Sequence, residues 1–149
     1  MSSLNQLYHE VIVDHGRHPR NFGMLPDAKH LRGHNPLCGD ELMLYLKIEQ
    51  GMIVESRFDG QGCAISMASA SLMTQAIKGK TLAEAEILFE HFHSFLINPH
   101  EDADADALLG KLVILKGVSE YPSRIKCATL AWHTLHALLK NEHEPVSTE

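Results

Sequence analysis

No apolar run in this chain approaches the ~20 residues that span a bilayer. The N-terminus, MSSLNQLYHEV, lacks the basic patch and following apolar stretch of a secretory signal. A cytoplasmic protein with no membrane partner is the expectation. A basic surplus is missing too: 19 acidic residues face 13 Lys and Arg, the formal net charge is -6, and the one dense charge run, EDADAD at 101–106, is acidic. Nucleic acid, whose binding needs a basic face to displace phosphate counterions, is not an expected partner. Cysteines are few. Cys38, Cys63 and Cys127 are an odd number, 25 and 64 residues apart, with no C-x-x-C pair. Neither a disulfide framework nor a zinc finger read from spacing fits. If the three thiols meet, the fold must bring them together.

What is present fits one compact domain: 149 residues, 44% hydrophobic and 21% charged. Leu4, Leu7, Tyr8, Val11 and Ile12 recur at helical spacing, and Gly16 is expected to end that helix. DHGRHPRNFGMLP reads as a loop. LMLYLKI at 42–48 and MIVESRF at 52–58 read as strands joined by a Gln50-Gly51 turn, with His30–His34 as a third. From Cys63 the pattern turns helical. CAISMASASLMTQAIKGK closes at Gly79, and Thr81-Leu-Ala-Glu84 is a capping box opening a helix to about Leu96. Asn98-Pro99 breaks that helix; another is expected from about Asp104 to Lys116, stopped by Gly117. Pro122 opens a last helix with Ala128, Ala131, Trp132, Leu135 and Leu138 on its apolar face, and about 142–149 is read as a flexible tail. Strands first and helices afterwards predict an α+β two-layer sandwich, about three antiparallel strands against several helices.

The stretch NPLCGDE places Cys38 in a Pro- and Gly-bracketed turn two residues from Asp40. Two readings stand side by side. Cys38 is a small hydrophobe caught in a turn and Asp40 a turn or capping residue, or both are ligands. Cys63 follows Gly60-Gln61-Gly62 at the mouth of a helix, where backbone N–H groups and the dipole favour a thiolate. Cys127 falls five residues after Pro122, beside Arg124 and Lys126. All three thiols thus lie at element boundaries, none in mid-core. With Asp40 they make four ligands, a tetrahedral set suited to zinc, whose carboxylate is the most exchangeable member. Zinc neutralises half of the ligands' charge, and Arg124 and Lys126 are the cations nearest in sequence to offset the rest.

LYHEVIVDHGRHPRNFG resembles the opening LY-x-x-VI-x-DH…PRN-x-G of the SufU/IscU family of iron–sulfur cluster assembly proteins, to which the N-terminal domain of NifU is related. NPLCGD, FDGQGCAISMASASLM and RIKCATLAW continue the resemblance through all three cysteines. Gly16 and His18 depart from the commoner residues of the opening motif. Lys126 stands where the IscU branch carries a histidine. The interval from Cys63 to Cys127 is long, with room for an extra helical segment around 95–116. Both features are similar to SufU. The resemblance implies a SufE/NifU-like fold and a metal set of Cys38, Asp40, Cys63 and Cys127. It implies a zinc-dependent sulfurtransferase that takes persulfide sulfur from a SufS-type cysteine desulfurase and passes it to a downstream iron–sulfur assembly scaffold. A histidine of the desulfurase would take the place of Cys38 on zinc, freeing Cys38 as persulfide acceptor, with Arg124 as thiolate support. The alternative it leaves open is an IscU-type scaffold on which iron or a [2Fe–2S] cluster assembles. A structural zinc domain or zinc hydrolase is a third class, but no general base in a His-Glu-x-x-His motif is present.

Other residues invite less. The eleven histidines include His30/His34, His91/His93 and His133/His136, read as strand or surface positions, and His15, read as a loop-ordering or docking residue. Asp102, Asp104 and Asp106 begin like an EF-hand loop, but Ala107 replaces the required Gly and Val113 the closing Glu. Met67 and Met73 read as core filler, and Ala64, Ala68 and Ser71 as a close-packing stripe.

Overall fold

The computed structural model describes residues 2–36, 38–98, 109–142 and 144–147. Helix α1 (Ser2–Arg17) is followed by strands β1 (Lys29–Asn35), β2 (Asp40–Glu49) and β3 (Met52–Gln61), then helices α2 (Ala64–Ile77) and α3 (Leu82–Ile97). A 3₁₀ stretch (Gly110–Glu120), helix α4 (Pro122–Leu139) and a two-residue strand β4 (Val146–Ser147) complete the order. This is the α+β architecture expected. The sheet runs β3-β2-β1-β4, antiparallel except where β4 lies parallel to β1. Among the described residues no helix is long and apolar enough to cross a membrane.

The β2–β3 turn is built as the sequence predicts. Gln50 (φ 54°) and Gly51 (φ 74°) are both left-handed, the geometry that matches the twist of a two-residue hairpin. One face of the sheet, with Leu31, Leu42, Leu44, Leu46, Ile53 and Phe58, is buried against the helices. Helix α4 crosses β1 at Gly33, where a Cβ would press on Thr134 and Leu130 of the helix. Trp132 is fully buried, stacks on Phe92 at 4.6 Å between ring centres, and donates its indole N–H to Ser69 Oγ at 3.1 Å. One aromatic therefore ties α2, α3 and α4 together. Met73, Ala68 and Ser71 are buried, as read from the sequence.

The opening motif is laced onto this core. His15 is buried and its Nδ1 lies 2.7 Å from Ser71 Oγ, which also accepts the Arg20 backbone N–H at 2.8 Å. Asn21 donates to Thr74 Oγ1 at 3.1 Å and its carbonyl accepts the Phe58 N–H at 3.1 Å. His15 thus orders the loop after α1, one of the two roles read for it.

Three expectations are corrected. Gly16 does not end α1, which runs on to Arg17; a Cβ at 16 would sit 3.3 Å from Ala64 Cβ, so the glycine serves close packing of α1 on α2. Gly117 does not stop a helix at Lys116. The described part of that segment is a 3₁₀ stretch through Gly117 to Glu120, and Tyr8 packs where a Gly117 side chain would go. Within the stretch read as tail, Val146 and Ser147 pair with Gly33 and His34, because β1 would otherwise present an open edge. The acidic run 101–106 and the expected helix start at 104 lie outside the described residues.

Gly60 has φ 142°, and a Cβ there would collide with the Glu41 carbonyl and lie 2.7 Å from Leu42 Cα, all backbone of the neighbouring strand. No rotamer change relieves that clash. Gly60→Ala is expected to cost about 3 kcal/mol or more, read as a lowered urea midpoint.

Candidate metal centre

Strand register assembles the site. Asn35 pairs with Asp40, so Cys38 lies on the short connection between β1 and β2. Gly39 takes φ 72° within it, a conformation open to glycine at little cost. Asp40 opens β2 and is 1% exposed. Its neighbour Glu41 pairs with Gln61 at the end of β3, which brings Gly62 and Cys63 past the Asp40 carboxylate. Asp40 Oδ1 accepts the Cys63 backbone N–H at 2.8 Å, and Oδ2 lies 3.9 Å from Cys63 Sγ. A Cβ on Gly62 would stand 2.6 Å from Oδ1, so only glycine leaves room for the carboxylate. Cys63 is the N-cap of α2, its sulfur accepting the Ser66 N–H at 3.4 Å. Cys127, in the second turn of α4, has its Sγ 3.2 Å from Cys38 Sγ.

The Cys38, Asp40 and Cys127 ligand atoms all lie within 4.8 Å of one another. Cys63 stands outside that mutual group and reaches it through Asp40. Of the four residues nominated from sequence, three meet in this group and Cys63 lies beside it, its Sγ 3.9 Å from Asp40 Oδ2. One expectation about them changes: Cys127 is a buried thiol, 4% exposed, whereas Cys38 is exposed and Cys63 half-buried. A second change concerns Cys63. Burial pushes its thiol above the usual range and outweighs the Ser66 amide at the helix mouth, with the Asp40 charge adding to the rise. Burial also pushes the Cys127 thiol up, helped by Cys38, Cys63 and Asp40.

Such a cluster is short of positive charge. Several soft donors and a carboxylate crowd together, two of the thiols are disfavoured as anions, and no cationic side chain bonds to them among the described residues. Beside them Asn35, fully buried, donates Nδ2 to Cys127 Sγ at 3.8 Å and leaves its Oδ1 without a partner. These observations fit a cation held by sulfur and one oxygen, which for this donor set is zinc before calcium or magnesium.

Arg124 places its guanidinium over the Tyr121 ring, 4.5 Å from its centre. Tyr8 feels both Arg124 and a sulfur: burial raises its pKa, the Arg124 charge opposes that rise and Cys63 adds to it. Tyr8 and Asn35 were not singled out from the sequence. The available signal was that each sits inside a motif of the resemblance, LYHEV and NPLCGD, the second of which also holds Cys38 and Asp40.

The histidines of α3 and α4 are not plain surface residues. His133 stands edge-on to Phe89 and His93, with ring centres 5.5 and 5.2 Å away, and His136 stacks on Phe89 at 4.7 Å while its Nδ1 meets Glu86 Oε1 at 2.8 Å. Burial lowers the His133 pKa to about 4, with His93 and His136 contributing. Unfolded, the ring titrates near its ordinary value of 6.5. The folded state binds the proton more weakly, so the stabilising contribution is full above that value and is lost as pH falls towards about 4. His133→Leu is expected to flatten the acid side of the stability curve across that window, by on the order of 1–2 kcal/mol given partial exposure. Urea denaturation at several pH values checks this.

Comparison with known proteins places the site in context. The family model described as NifU-like N terminal domain matches residues 7–128. The zinc-dependent sulfurtransferase SufU of Bacillus subtilis is 44% identical over 134 residues, covering 90% of each chain. The iron–sulfur cluster assembly scaffold protein IscU of Streptococcus pyogenes is 39% identical over 140 residues, 94% of this chain and 87% of that one. A solved structure of a candidate iron–sulfur cluster assembly scaffold protein for the SUF system, from Fervidobacterium islandicum, superposes with a TM-score of 0.82 at 35% identity. It covers 87% of this chain and 94% of its own.

Proposed function

We propose, from the premise that the chain belongs to the family of NifU-like N-terminal domains, that it is a zinc-dependent sulfurtransferase of iron–sulfur cluster assembly. It takes persulfide sulfur from a SufS-type cysteine desulfurase in the cytoplasm and passes it to a downstream assembly scaffold. The carrying observation is the meeting of Cys38, Asp40 and Cys127 within 4.8 Å, with Cys63 Sγ 3.9 Å from Asp40. Cys38, Asp40, Cys63 and Cys127 hold the metal. Bound there, zinc keeps its ligating thiols deprotonated.

The chain's own residues divide the work by mobility. Cys38 is exposed on a glycine-containing connection, so it is the sulfur that can turn towards a partner. Its thiolate attacks the outer sulfur of the donor's persulfide. A new S–S bond forms on Cys38, the donor's S–S bond breaks, and the donor leaves as a thiolate; no net oxidation occurs. Asp40 is pinned by the Cys63 amide and Cys127 by burial in α4, so both stay in place while Cys38 moves. Arg124, three residues before Cys127 and stacked on Tyr121, is assigned the role of supporting the thiolates.

The scaffold reading draws on the relatives named IscU. Lys126 before the third cysteine, and the long interval preceding it, favour sulfur transfer. Metal content separates the two. The aerobically purified chain is expected to be colourless with about one tightly bound zinc per chain, and to accelerate a SufS-type desulfurase supplied with cysteine. A brown, iron-containing protein that leaves the desulfurase rate unchanged would reverse the assignment.

A further inference from the structure

Three imidazoles gather on the seam between α3 and α4. Helix α3 presents Glu86, Phe89 and His93 on one face, at spacings of three and four, and α4 presents His133 and His136 three apart. Phe89, 8% exposed, lies among them, its ring centre 5.8 Å from His93, 5.5 Å from His133 and 4.7 Å from His136. All three imidazoles are half-buried and line one cleft of about 520 Å³, which the exposed Glu142 and Glu144 also line.

Packing alone does not account for this choice of residues. An imidazole carries two polar nitrogens, and burying them without partners costs free energy that Leu or Phe at the same positions would not. Among the described residues His93 and His133 meet aromatic rings rather than hydrogen-bond partners. His136 is held differently: its Nδ1 lies 2.8 Å from Glu86 Oε1. With the ring neutral, that contact keeps the proton on Nδ1 and leaves the Nε2 lone pair free, which is how a carboxylate orients a metal-bound histidine. Burial, with His93 and His136 alongside, lowers the His133 pKa to about 4, so its lone pair is available at neutral pH.

We propose that His93, His133 and His136 form a second metal centre, which takes a divalent zinc-class ion in the cleft, with Glu86 orienting His136 and Glu142 or Glu144 supplying an oxygen. Ring separation supports it most directly. Two imidazoles that share one zinc at about 2.0–2.1 Å per nitrogen, near the tetrahedral angle, hold their ring centres roughly 5 Å apart. His93 and His133 stand 5.2 Å apart. The full set is not closed at rest, since among the described residues only Cys38, Asp40 and Cys127 have ligand atoms within 4.8 Å of one another. His136 and a glutamate turn inward on binding, which side chains open to the cleft can do by changing rotamer. That adjustment makes this ion the weaker-held of the two. Imidazole nitrogens with one carboxylate suit zinc, cobalt, nickel and copper before calcium or magnesium. Lys126, the cation lining the cleft, is two turns of α4 away from His133. His133 and Cys127 are six residues apart on one helix, about 9 Å at 1.5 Å per residue, so the two centres share no ligand. Nothing in this proposal rests on sulfur transfer.

The test uses the full chain, desalted and assayed for the metal it retains. It is then titrated with zinc, and separately with cobalt(II) as an optical probe, beside the double variant His93→Gln, His133→Gln. Wild type is expected to take up one equivalent more than the variant, and both to retain the same metal before titration. The cobalt difference spectrum, wild type minus variant, is expected to show ligand-field bands without thiolate-to-metal charge transfer. Glu86→Gln is expected to weaken the extra equivalent on the order of tenfold. Equal uptake by wild type and the double variant, or thiolate charge transfer in the difference spectrum, would overturn the proposal. Should the double variant not fold, diethyl pyrocarbonate modification of wild type, mapped by mass spectrometry, decides. Zinc is expected to slow modification of His93 and His133 at least tenfold, and equal modification with and without zinc rejects the site. If the thiols hold no metal, the proposed function fails, but uptake by them shifts wild type and variant equally and the difference still reports on the histidines.

Discussion

Cys38→Ala is expected to return the desulfurase to its unstimulated rate while leaving the chain folded. The two halves of this outcome have separate causes. Cys38 is exposed on the β1–β2 connection and buries little, so removing its sulfur costs the metal-free chain less than about 1 kcal/mol. It is also the one thiol of the three that neither caps a helix nor sits inside one. Cys63 is committed to the Ser66 amide and Asp40, and Cys127 to the buried face of α4. A sulfur acceptor must leave its resting contacts to meet an incoming persulfide, and Cys38 gives up the fewest. The measurement is the rate of alanine formation by the desulfurase with wild type, with Cys38→Ala and with no added chain. Full stimulation by the variant would place acceptance on another residue and leave the metal assignment standing.

Asp40→Ala and Asp40→Asn are expected to part company, and the difference separates a ligand from a turn residue. The carboxylate is 1% exposed and accepts the Cys63 N–H at 2.8 Å. Alanine removes that bond and the charge together. With a hydrogen bond to a charged group worth about 1.5–3 kcal/mol, the metal-free variant is expected to melt roughly 5 °C lower. Asparagine keeps an oxygen for the amide and removes only the charge, so its metal-free melting point stays near that of wild type. Both variants are expected to lose zinc to a competing chelator at least about 100-fold more readily, because each has lost an anionic ligand. Retention of wild-type zinc affinity by Asp40→Asn would reduce Asp40 to a capping residue of the β3–α2 junction.

How far the sequence carried depends on whether a feature is local. The capping box Thr81–Glu84 forms as read, with Thr81 N donating to Glu84 Oε1 at 2.9 Å and Glu84 N to Thr81 Oγ1 at 3.1 Å, since cap and partner are three residues apart. The Gln50-Gly51 hairpin follows from the backbone preferences of two residues. Gly16 and Gly117 were misread as stops for one reason. Their use is to admit Ala64 and the Tyr8 ring, partners 48 and 109 positions away in the chain numbering, which no local pattern records. The histidine cluster around Phe89 was missed likewise: His133 and His136 read as a polar helix stripe until α3 is packed against them.

By itself the sequence determined the ordering of strands before helices and the turn and cap chemistry, because residue type and short-range spacing fix these; three thiols and one carboxylate it offered only as candidates. Tertiary structure alone decided which of those thiols is exposed and which buried, that Cys127 lies behind Cys38, and that Asn35 leaves an unpaired oxygen beside them. The physical reason is strand register. Pairing Asn35 with Asp40 and Glu41 with Gln61 sets the Cys38 connection and the Cys63 helix mouth side by side, and the seating of α4 at Gly33 brings Cys127 beneath them.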